Sequence, residues 1–179
     1  MDELTGPAKS GRPVVLAFTA FVLASRVSGS PVEEPVAGSI EGPDRVTVSR
    51  ALGIALEKLR SPACRQIFGE FFGPGSASLE EVLRERGETP GDRLRRMRFL
   101  DGSRHRLCGA PGVSAVMGTG SLEVFVCGSF GASARRDPSG AANLLIHEVL
   151  HSLGAGEAPT PGLPSSEEIT AHVASRCGR

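Results

Sequence analysis

Apolar residues recur at intervals of three and four in the first half of the chain and again near its end, a spacing typical of helices that bury one face. The first such series predicts a helix and comprises Ala51, Leu52, Ala55, Leu56 and Leu59. Start signals predict three more helices. One begins at Ser61-Pro62, and a second begins at a capping box from Ser78 to Glu81 and ends at Gly87. The third begins at Thr89-Pro90 and ends near Met97. These N-terminal helices have the pattern of a scaffold.

The pattern changes to alternation in the middle of the chain. Val113 to Met117 and Leu122 to Cys127 are two strand candidates, and the residues Gly118 to Ser121 between them are typical of a turn. The sequence therefore predicts an antiparallel β-hairpin. The connection that follows it, Gly128 to Arg136, is interpreted as a wall of a cleft.

Helical spacing returns at Asp137-Pro138, an N-cap and first-turn pair, and continues to Leu153. This helix is apolar nearly all round, which predicts that it is buried. A last helix begins at Ser165 or Ser166 and carries residues at intervals of three and four: Glu168, Ile169, His172 and Val173.

Two histidines and a glutamate on the buried helix are the candidate chemistry. His147 and His151 are four residues apart, so a helix places both imidazoles on one face, where two nitrogens can share a metal ion. Glu148 lies about 100° round the helix from His147, near enough to act as a base without being a ligand. Neutral imidazoles suit Zn²⁺. The simpler alternative is a pair of core histidines satisfied by hydrogen bonds, but three ionisable residues on one side of a buried helix favour a metal partner.

A third ligand is expected shortly after this helix. Gly154 can adopt the left-handed conformation that ends a helix and turns the chain back. Three residues at about 3.3 Å each reach up to about 10 Å, which is ample to bring Glu157 beside His151. Glu168 and His172 on the last helix are the rival third ligands, in that order.

The run from His147 to Glu157, HEVLHSLGAGE, resembles the metzincin branch of the zincin metallopeptidases, whose pattern is HExxHxxGxxH, with aspartate as the last ligand in some members. The resemblance implies that His147, His151 and Glu157 bind zinc and that Glu148 is the general base. In gluzincins the third ligand is a glutamate on a later helix, as Glu168 would be. The chain departs from the pattern in two ways: no methionine follows Glu157 to form the metzincin methionine turn, and there is no tyrosine to stabilise an oxyanion.

The longer pattern IHEVLHSLGAGE, PSSEEIT and RC is similar to the ending of a set of small bacterial secreted proteins, and this likeness covers roughly Pro62 to Cys177. Zincins hold extended substrate on an antiparallel edge strand that precedes the active-site helix. The resemblance therefore implies that Leu122 to Cys127, which takes that place in chain order, is the substrate-binding strand.

The composition is that of one ordinary domain, since the chain has 179 residues, of which 40% are hydrophobic and 22% charged. The net charge is zero, which gives no argument for nucleic acid or anionic membranes as partners. A local basic cluster consists of Arg93, Arg95, Arg96, Arg98, Arg104 and Arg106. Only Phe99 lies among them, so this cluster is interpreted as a solvated surface with His105 exposed in it and not as a nucleic-acid site.

The N-terminal residues have the plan of an export signal. Lys9 and Arg12 precede a twelve-residue apolar run that is too short to span a bilayer, and small residues follow it. The stretch from Ser28 to Asp44 is rich in glycine, proline, serine and glutamate, which is typical of a flexible linker. We therefore expect a signal-like segment at residues 1–30, a flexible linker at 31–45 and one domain at 46–179. The expected location is secreted or periplasmic, with no membrane span after signal removal.

Four cysteines, Cys64, Cys108, Cys127 and Cys177, lie outside any Cys-x-x-Cys pair, which argues against a zinc ribbon. In an exported protein they would form two disulfides, whereas in the cytosol they would be buried thiols. Three pairings are possible. The hairpin favours Cys108 with Cys127, which leaves Cys64 to pair with Cys177.

These patterns predict an α+β, zincin-like domain with N-terminal helices, an antiparallel β-hairpin, a buried active-site helix and a C-terminal helix. The function predicted is that of a small exported zinc metallopeptidase, a monomer that acts on a peptide or protein substrate, with Glu148 as its base. The alternative is a non-catalytic secreted module in which zinc ties the last two helices to the core.

Overall fold

The computed structural model describes Ile40 and residues 42–178. The signal-like segment at 1–30 lies outside the described residues, as does most of the linker predicted for 31–45. The described chain contains these elements in order: α1 (Gly42–Lys58), α2 (Pro62–Arg65), α3 (Ile67–Glu70), α4 (Leu79–Arg86), α5 (Pro90–Arg96), β1 (Arg98–Asp101), β2 (Ala115–Met117), β3 (Glu123–Val126), α6 (Gly128–Arg136), α7 (Pro138–Ser152) and α8 (Ser166–Cys177). The combination of helices with a small sheet confirms the predicted α+β class.

Reciprocal capping boxes start three of the helices. Ser78 and Glu81 begin α4, Thr89 and Asp92 begin α5, and Ser165 and Glu168 begin α8. In each pair, the hydroxyl accepts a hydrogen bond from the backbone of the acidic residue, whose carboxylate accepts one from the backbone N–H of the cap. These are the starts predicted from the sequence. Helix α1, in contrast, begins at Gly42, inside the stretch assigned to the linker.

The strands form one mixed sheet in the order β1-β3-β2. β2 and β3 pair antiparallel, with Val116 opposite Phe125, which confirms the predicted hairpin. β1 pairs parallel with β3, with Phe99 opposite Val124, and this partner was not predicted. Strand β3 is therefore central, and β2 is an edge of the sheet.

Helix α7 lies at the centre of the fold and contacts α1, α5, α6, α8 and β2. Its buried residues include apolar side chains from every side of the helix: Ala142, Leu145, Ile146, Val149 and Leu150. The rest of the core comes from the surrounding elements, and its large buried side chains include Phe68, Phe99, Phe130, Leu94 and Met97. The prediction that this helix is buried is confirmed.

Residues 128–136, the connection interpreted from the sequence as a wall of a cleft, form helix α6. Glycine, serine and alanine dominate this stretch, so its intrinsic helix preference is weak. Phe130 and Ala134, one turn apart, are buried against the core, and this packing on α1 and α7 stabilises the helix.

The interpretation of the arginine cluster as solvated is wrong for one member. Arg93 is 4% exposed, and its guanidinium donates hydrogen bonds to the backbone oxygen and the hydroxyl of Ser152. Glu88 lies 3.8 Å from the same guanidinium. His105 is half-buried rather than exposed, because its ring stacks on Phe125 with centroids 4.7 Å apart.

Two disulfides close the fold, Cys64–Cys177 and Cys108–Cys127. This is the pairing expected from the hairpin. The first disulfide joins α2 to the end of α8, and the second joins the short 3-10 turn at Arg106–Gly109 to the residue that follows β3. Among the described residues, no helix has the length and apolar character needed to cross a membrane.

Candidate metal centre

Helix α7 brings the two histidines of the motif together. The His147 and His151 rings have centroids 4.6 Å apart, and their Nε2 atoms are separated by 2.7 Å. Both residues are buried, at 1% and 7% exposure. The four-residue spacing therefore produces the shared face expected from helical geometry.

The end of α7 turns the chain back toward these rings. Gly154 adopts a φ of +111°, and a Cβ at this position would lie 2.6 Å from the Pro74 ring, so the position requires glycine both for its backbone conformation and for its space. The backbone N–H groups of Gly154 and Gly120 both donate to the His151 carbonyl, and the second of these bonds ties the β2–β3 turn to the helix end. These contacts hold the segment that follows Gly154 beside the histidines.

Glu157 arrives at the histidine pair on this segment. Its Oε2 lies 3.3 Å from His151 Nε2 and 3.7 Å from His147 Nε2. This oxygen is buried and has no hydrogen-bond partner among the described residues. One ligand atom from each of the three residues lies within 4.8 Å of the others, so the group can hold a metal ion.

The chemistry of the donors fits a divalent transition metal. Two imidazole nitrogens and one carboxylate oxygen are a ligand set that suits zinc and also other first-row ions. A buried, unpaired carboxylate oxygen facing two imidazole nitrogens is costly without a positive partner. A cation bound by His147, His151 and Glu157 would remove that cost.

Each histidine is held from behind through its other ring nitrogen. His151 Nδ1 lies 2.8 Å from the carbonyl oxygen of Ala155, which can only accept, so Nδ1 carries the hydrogen and Nε2 presents a lone pair to the site. His147 Nδ1 lies 2.8 Å from the hydroxyl of Thr170 on α8. Outer partners of this kind orient metal ligands.

The electrostatics of the site reflect burial and close charges. Burial lowers the pKa of His147 and thus favours the neutral imidazole that a metal requires. The close approach of the His147 ring, whose Nε2 lies 3.7 Å from Oε2, holds the pKa of Glu157 below its usual range, which keeps its carboxylate ionised. Burial, and then the Glu157 charge, raise the pKa of Glu148 to about 8. A divalent cation between the ligands would favour the ionised form of Glu148 and oppose that rise.

The two rival ligands are engaged elsewhere. The Glu168 carboxylate accepts hydrogen bonds from Ser165 in the capping box of α8 and is exposed. His172 pairs with Glu70, which also binds Arg176. The structure therefore brings Glu157, and neither Glu168 nor His172, to the histidine pair.

A cleft of about 810 Å³ opens onto the candidate metal group. One wall is the segment that runs from Ala110 into β2, and the other is the face of α8 that carries Thr170, Ala171 and Ala174. His147, Glu148, His151 and Glu157 line it between these walls. Each wall is held by one disulfide, since Cys108–Cys127 anchors the first and Cys64–Cys177 anchors the second.

The strand beside the cleft is not the one expected. Leu122 to Cys127, assigned to substrate binding from chain order, contains β3, which is paired on both sides. Ala115 to Met117, which form the edge strand β2, line the cleft instead. The expectation that this segment is an edge strand was wrong because the parallel partner β1, which covers the far side of β3, was missed.

Comparison of the chain with known proteins found no similar protein. The chain matches no protein-family model, no curated protein and no solved structure. The conclusions on the site therefore depend on its geometry and on its donor chemistry.

Sequence reasoning missed the partners behind the ligands. Ala155 acts through its backbone carbonyl, for which side-chain chemistry gives no signal. Thr170 carried one signal, its place in the run PSSEEIT, but helical spacing on α8 directs attention to Ile169 and Val173, the buried residues that flank it. The hydroxyl of Thr170 becomes relevant only when α8 packs on α7.

Proposed function

We propose that this protein is a zinc-dependent hydrolase that works outside the cytoplasm and cleaves peptide bonds. The observation that carries the proposal is the position of the His147, His151 and Glu157 group on the wall of an open cleft, with Glu148 lining the same cleft. A structural zinc site is usually closed by four protein ligands, whereas a catalytic site has three and one open position.

The residues divide into ligands and a base. His147, His151 and Glu157 would hold zinc, which when bound acidifies water and polarises the carbonyl of the scissile bond. Glu148 would accept a proton from the attacking water and return it to the leaving amine. Its burial at 4% exposure, on the same helix as both histidines, fixes its place relative to the ligands. The pair of outer hydrogen bonds, to Thr170 and to Ala155, would keep both Nε2 lone pairs directed at the ion.

The shape of the cleft supports an extended peptide as substrate. β2 is an edge of the sheet, and a peptide that pairs with it by strand addition would run beside α7. The side chains of Val116, Leu144 and Ala171 give the cleft apolar surface. Two disulfides support an oxidising, extracytoplasmic location.

The experiment that tests the proposal separates zinc binding from turnover. Glu148→Gln preserves the shape of the side chain and removes the base, so we expect it to retain zinc and lower the rate on a mixed peptide library by about 10² to 10⁴-fold. Glu85→Gln, an exposed carboxylate on α4, is the matched control and should cleave like the wild type. Cleavage is measured by mass spectrometry of the products, and zinc content by elemental analysis.

Two outcomes would contradict the proposal. If the wild type binds no zinc, the metal assignment fails. If it binds one zinc per chain but cleaves no peptide, the alternative of a secreted module with a structural zinc gains support instead.

A further inference from the structure

The two candidate ligands differ in the kind of group that holds them from behind. His151 is held by a backbone carbonyl, which only accepts hydrogen bonds. His147 is held by the hydroxyl of Thr170, which can donate or accept. The two imidazoles therefore have different freedom to exchange the hydrogen between their ring nitrogens.

This difference matters because the two Nε2 atoms are only 2.7 Å apart, a hydrogen-bond distance. The Ala155 carbonyl requires a hydrogen on His151 Nδ1, so neutral His151 presents a lone pair at Nε2. With no cation between the rings, a hydrogen bond across this gap requires the hydrogen on His147 Nε2. His147 Nδ1 then has a lone pair, and Thr170 must donate to it.

Metal binding reverses this requirement. A ligand nitrogen must offer its lone pair, so His147 Nε2 loses its hydrogen, and the neutral ring then carries one on Nδ1. Thr170 must now accept from Nδ1. A carboxylate at position 170 would only accept, and an ammonium would only donate, whereas a hydroxyl serves both forms of His147.

We propose that Thr170 is a positioning residue for the metal ligand His147, with a hydroxyl that donates to the metal-free imidazole and accepts from the metal-bound one. This inference rests on the metal site of the proposed function, and it assigns to a residue on α8 the orientation of one of the metal ligands. Thr170 is half-buried at the packed face between α7 and α8 and lines the cleft, so its hydroxyl lies at the boundary between the core and the site.

The attachment of α8 does not depend on this hydroxyl. Ile169 and Val173 are completely buried, the capping box at Ser165 starts the helix, and Cys177 is bonded to Cys64 at its other end. Replacing Thr170 should therefore change the hydrogen bond to His147 while α8 stays docked. This makes the effect on metal binding separable from an effect on folding.

The test uses Thr170→Val, which keeps the shape and removes the hydroxyl, and Thr170→Ser, which keeps the hydroxyl and removes a methyl group. Zinc affinity is measured by competition with a chromophoric chelator. Loss of an outer partner typically costs about 10 to 100-fold in metal affinity, so we expect that loss for Thr170→Val and a change within about threefold for Thr170→Ser. Equal affinity of Thr170→Val and wild type would overturn the proposal, as would equal weakening in both variants, because packing would then explain the loss.

A second readout reports the position of the hydrogen. Long-range ¹H–¹⁵N correlation spectra distinguish the two tautomers of a neutral imidazole. In the wild type, we expect the hydrogen of His147 on Nε2 without metal and on Nδ1 with one equivalent of zinc. A hydrogen on Nδ1 in both states would refute the exchange of roles even if Thr170→Val does not fold.

Failure of this inference can be told apart from failure of the proposed function. Zinc binding without peptide cleavage would refute the proposed hydrolase activity. The role of Thr170 would still be tested by the zinc affinities of its variants and by the tautomer spectra. A wild-type protein that binds no zinc would refute both the proposed function and the role of Thr170. Circular dichroism and the melting temperature of the metal-free variants show whether each of them retains the fold.

Discussion

Replacing Arg93 by methionine should destabilise the protein more than any other single arginine change on α5. Methionine keeps an unbranched apolar stem of similar shape but removes the guanidinium. That group lies at the C-terminal end of α7, where it donates to the hydroxyl and the carbonyl oxygen of Ser152, the residue that follows His151. It also lies 3.8 Å from the Glu88 carboxylate, whose side chain is 9% exposed.

The expected magnitude follows from burial. Removing one partner of a buried ion pair costs about 3 to 5 kcal/mol, because the other partner is left without compensation. Arg96 also pairs with Glu88 and would remain, so the lower end of that range applies. We therefore expect a loss of about 3 kcal/mol in the free energy of unfolding. For a domain of this size, about 2 to 4 °C is lost per kcal/mol, which predicts a melting temperature about 6 to 12 °C lower.

Arg95→Met on the same helix is the matched control. Arg95 pairs with Asp92 at 3.4 Å, but their side chains are 32% and 52% exposed. Such a pair contributes about 0 to 1 kcal/mol. Both variants are compared with the wild type by thermal denaturation in EDTA, which removes any contribution of bound metal to stability. A melting temperature of Arg93→Met within 2 °C or so of that of Arg95→Met would refute the reasoning from burial.

Three further predictions concern the metal and the disulfides. Glu157→Ala should weaken zinc binding far more than Glu168→Ala, measured by chelator competition, and equal affinities would exclude Glu157 as the third ligand. Zinc at 100 times its dissociation constant should raise the free energy of unfolding by about 2.7 kcal/mol, and EDTA should reverse the rise in melting temperature; no shift would mean that the folded state does not bind zinc preferentially. Loss of Cys64–Cys177, which spans 113 residues, should destabilise the protein more than loss of Cys108–Cys127, which spans 19. A disulfide that closes a loop of about 100 residues stabilises the folded state by about 4.7 kcal/mol, and one that closes about 15 residues stabilises it by about 3 kcal/mol. Thermal denaturation of the two variants in which both cysteines of one disulfide are replaced by alanine tests this order, and the reverse order would contradict it.

The parts of the fold predicted from the sequence are those that local chemistry specifies. The capping boxes at Ser78, Thr89 and Ser165 use contacts within three residues, and all three start helices. The turn at Gly154 and the approach of Glu157 to the histidines depend on a stretch of only a few residues. The hairpin likewise joins neighbours in the chain.

The parts that could not be predicted depend on distant contacts. β1 is four residues long with a charged residue at each end, and only its parallel partner, 25 residues later, makes it a strand. Arg93 looks solvated in a run of arginines, but it shares a buried face with Leu94 and Met97, and its partner Ser152 is 59 residues away. Thr170 and His147 meet only through the docking of α8 on α7.

The position of α8 has a consequence for the order in which the centre is assembled. A chain that has been synthesised only as far as Pro164 already contains both histidines, Glu148 and Glu157, but it lacks the helix that supplies Thr170 and one wall of the cleft. It also lacks Cys177, so the longer disulfide cannot close. The candidate metal-binding motif is therefore complete as a sequence well before it is complete as a site. A nascent or truncated chain would carry the candidate ligands without the cleft that surrounds them in the folded protein.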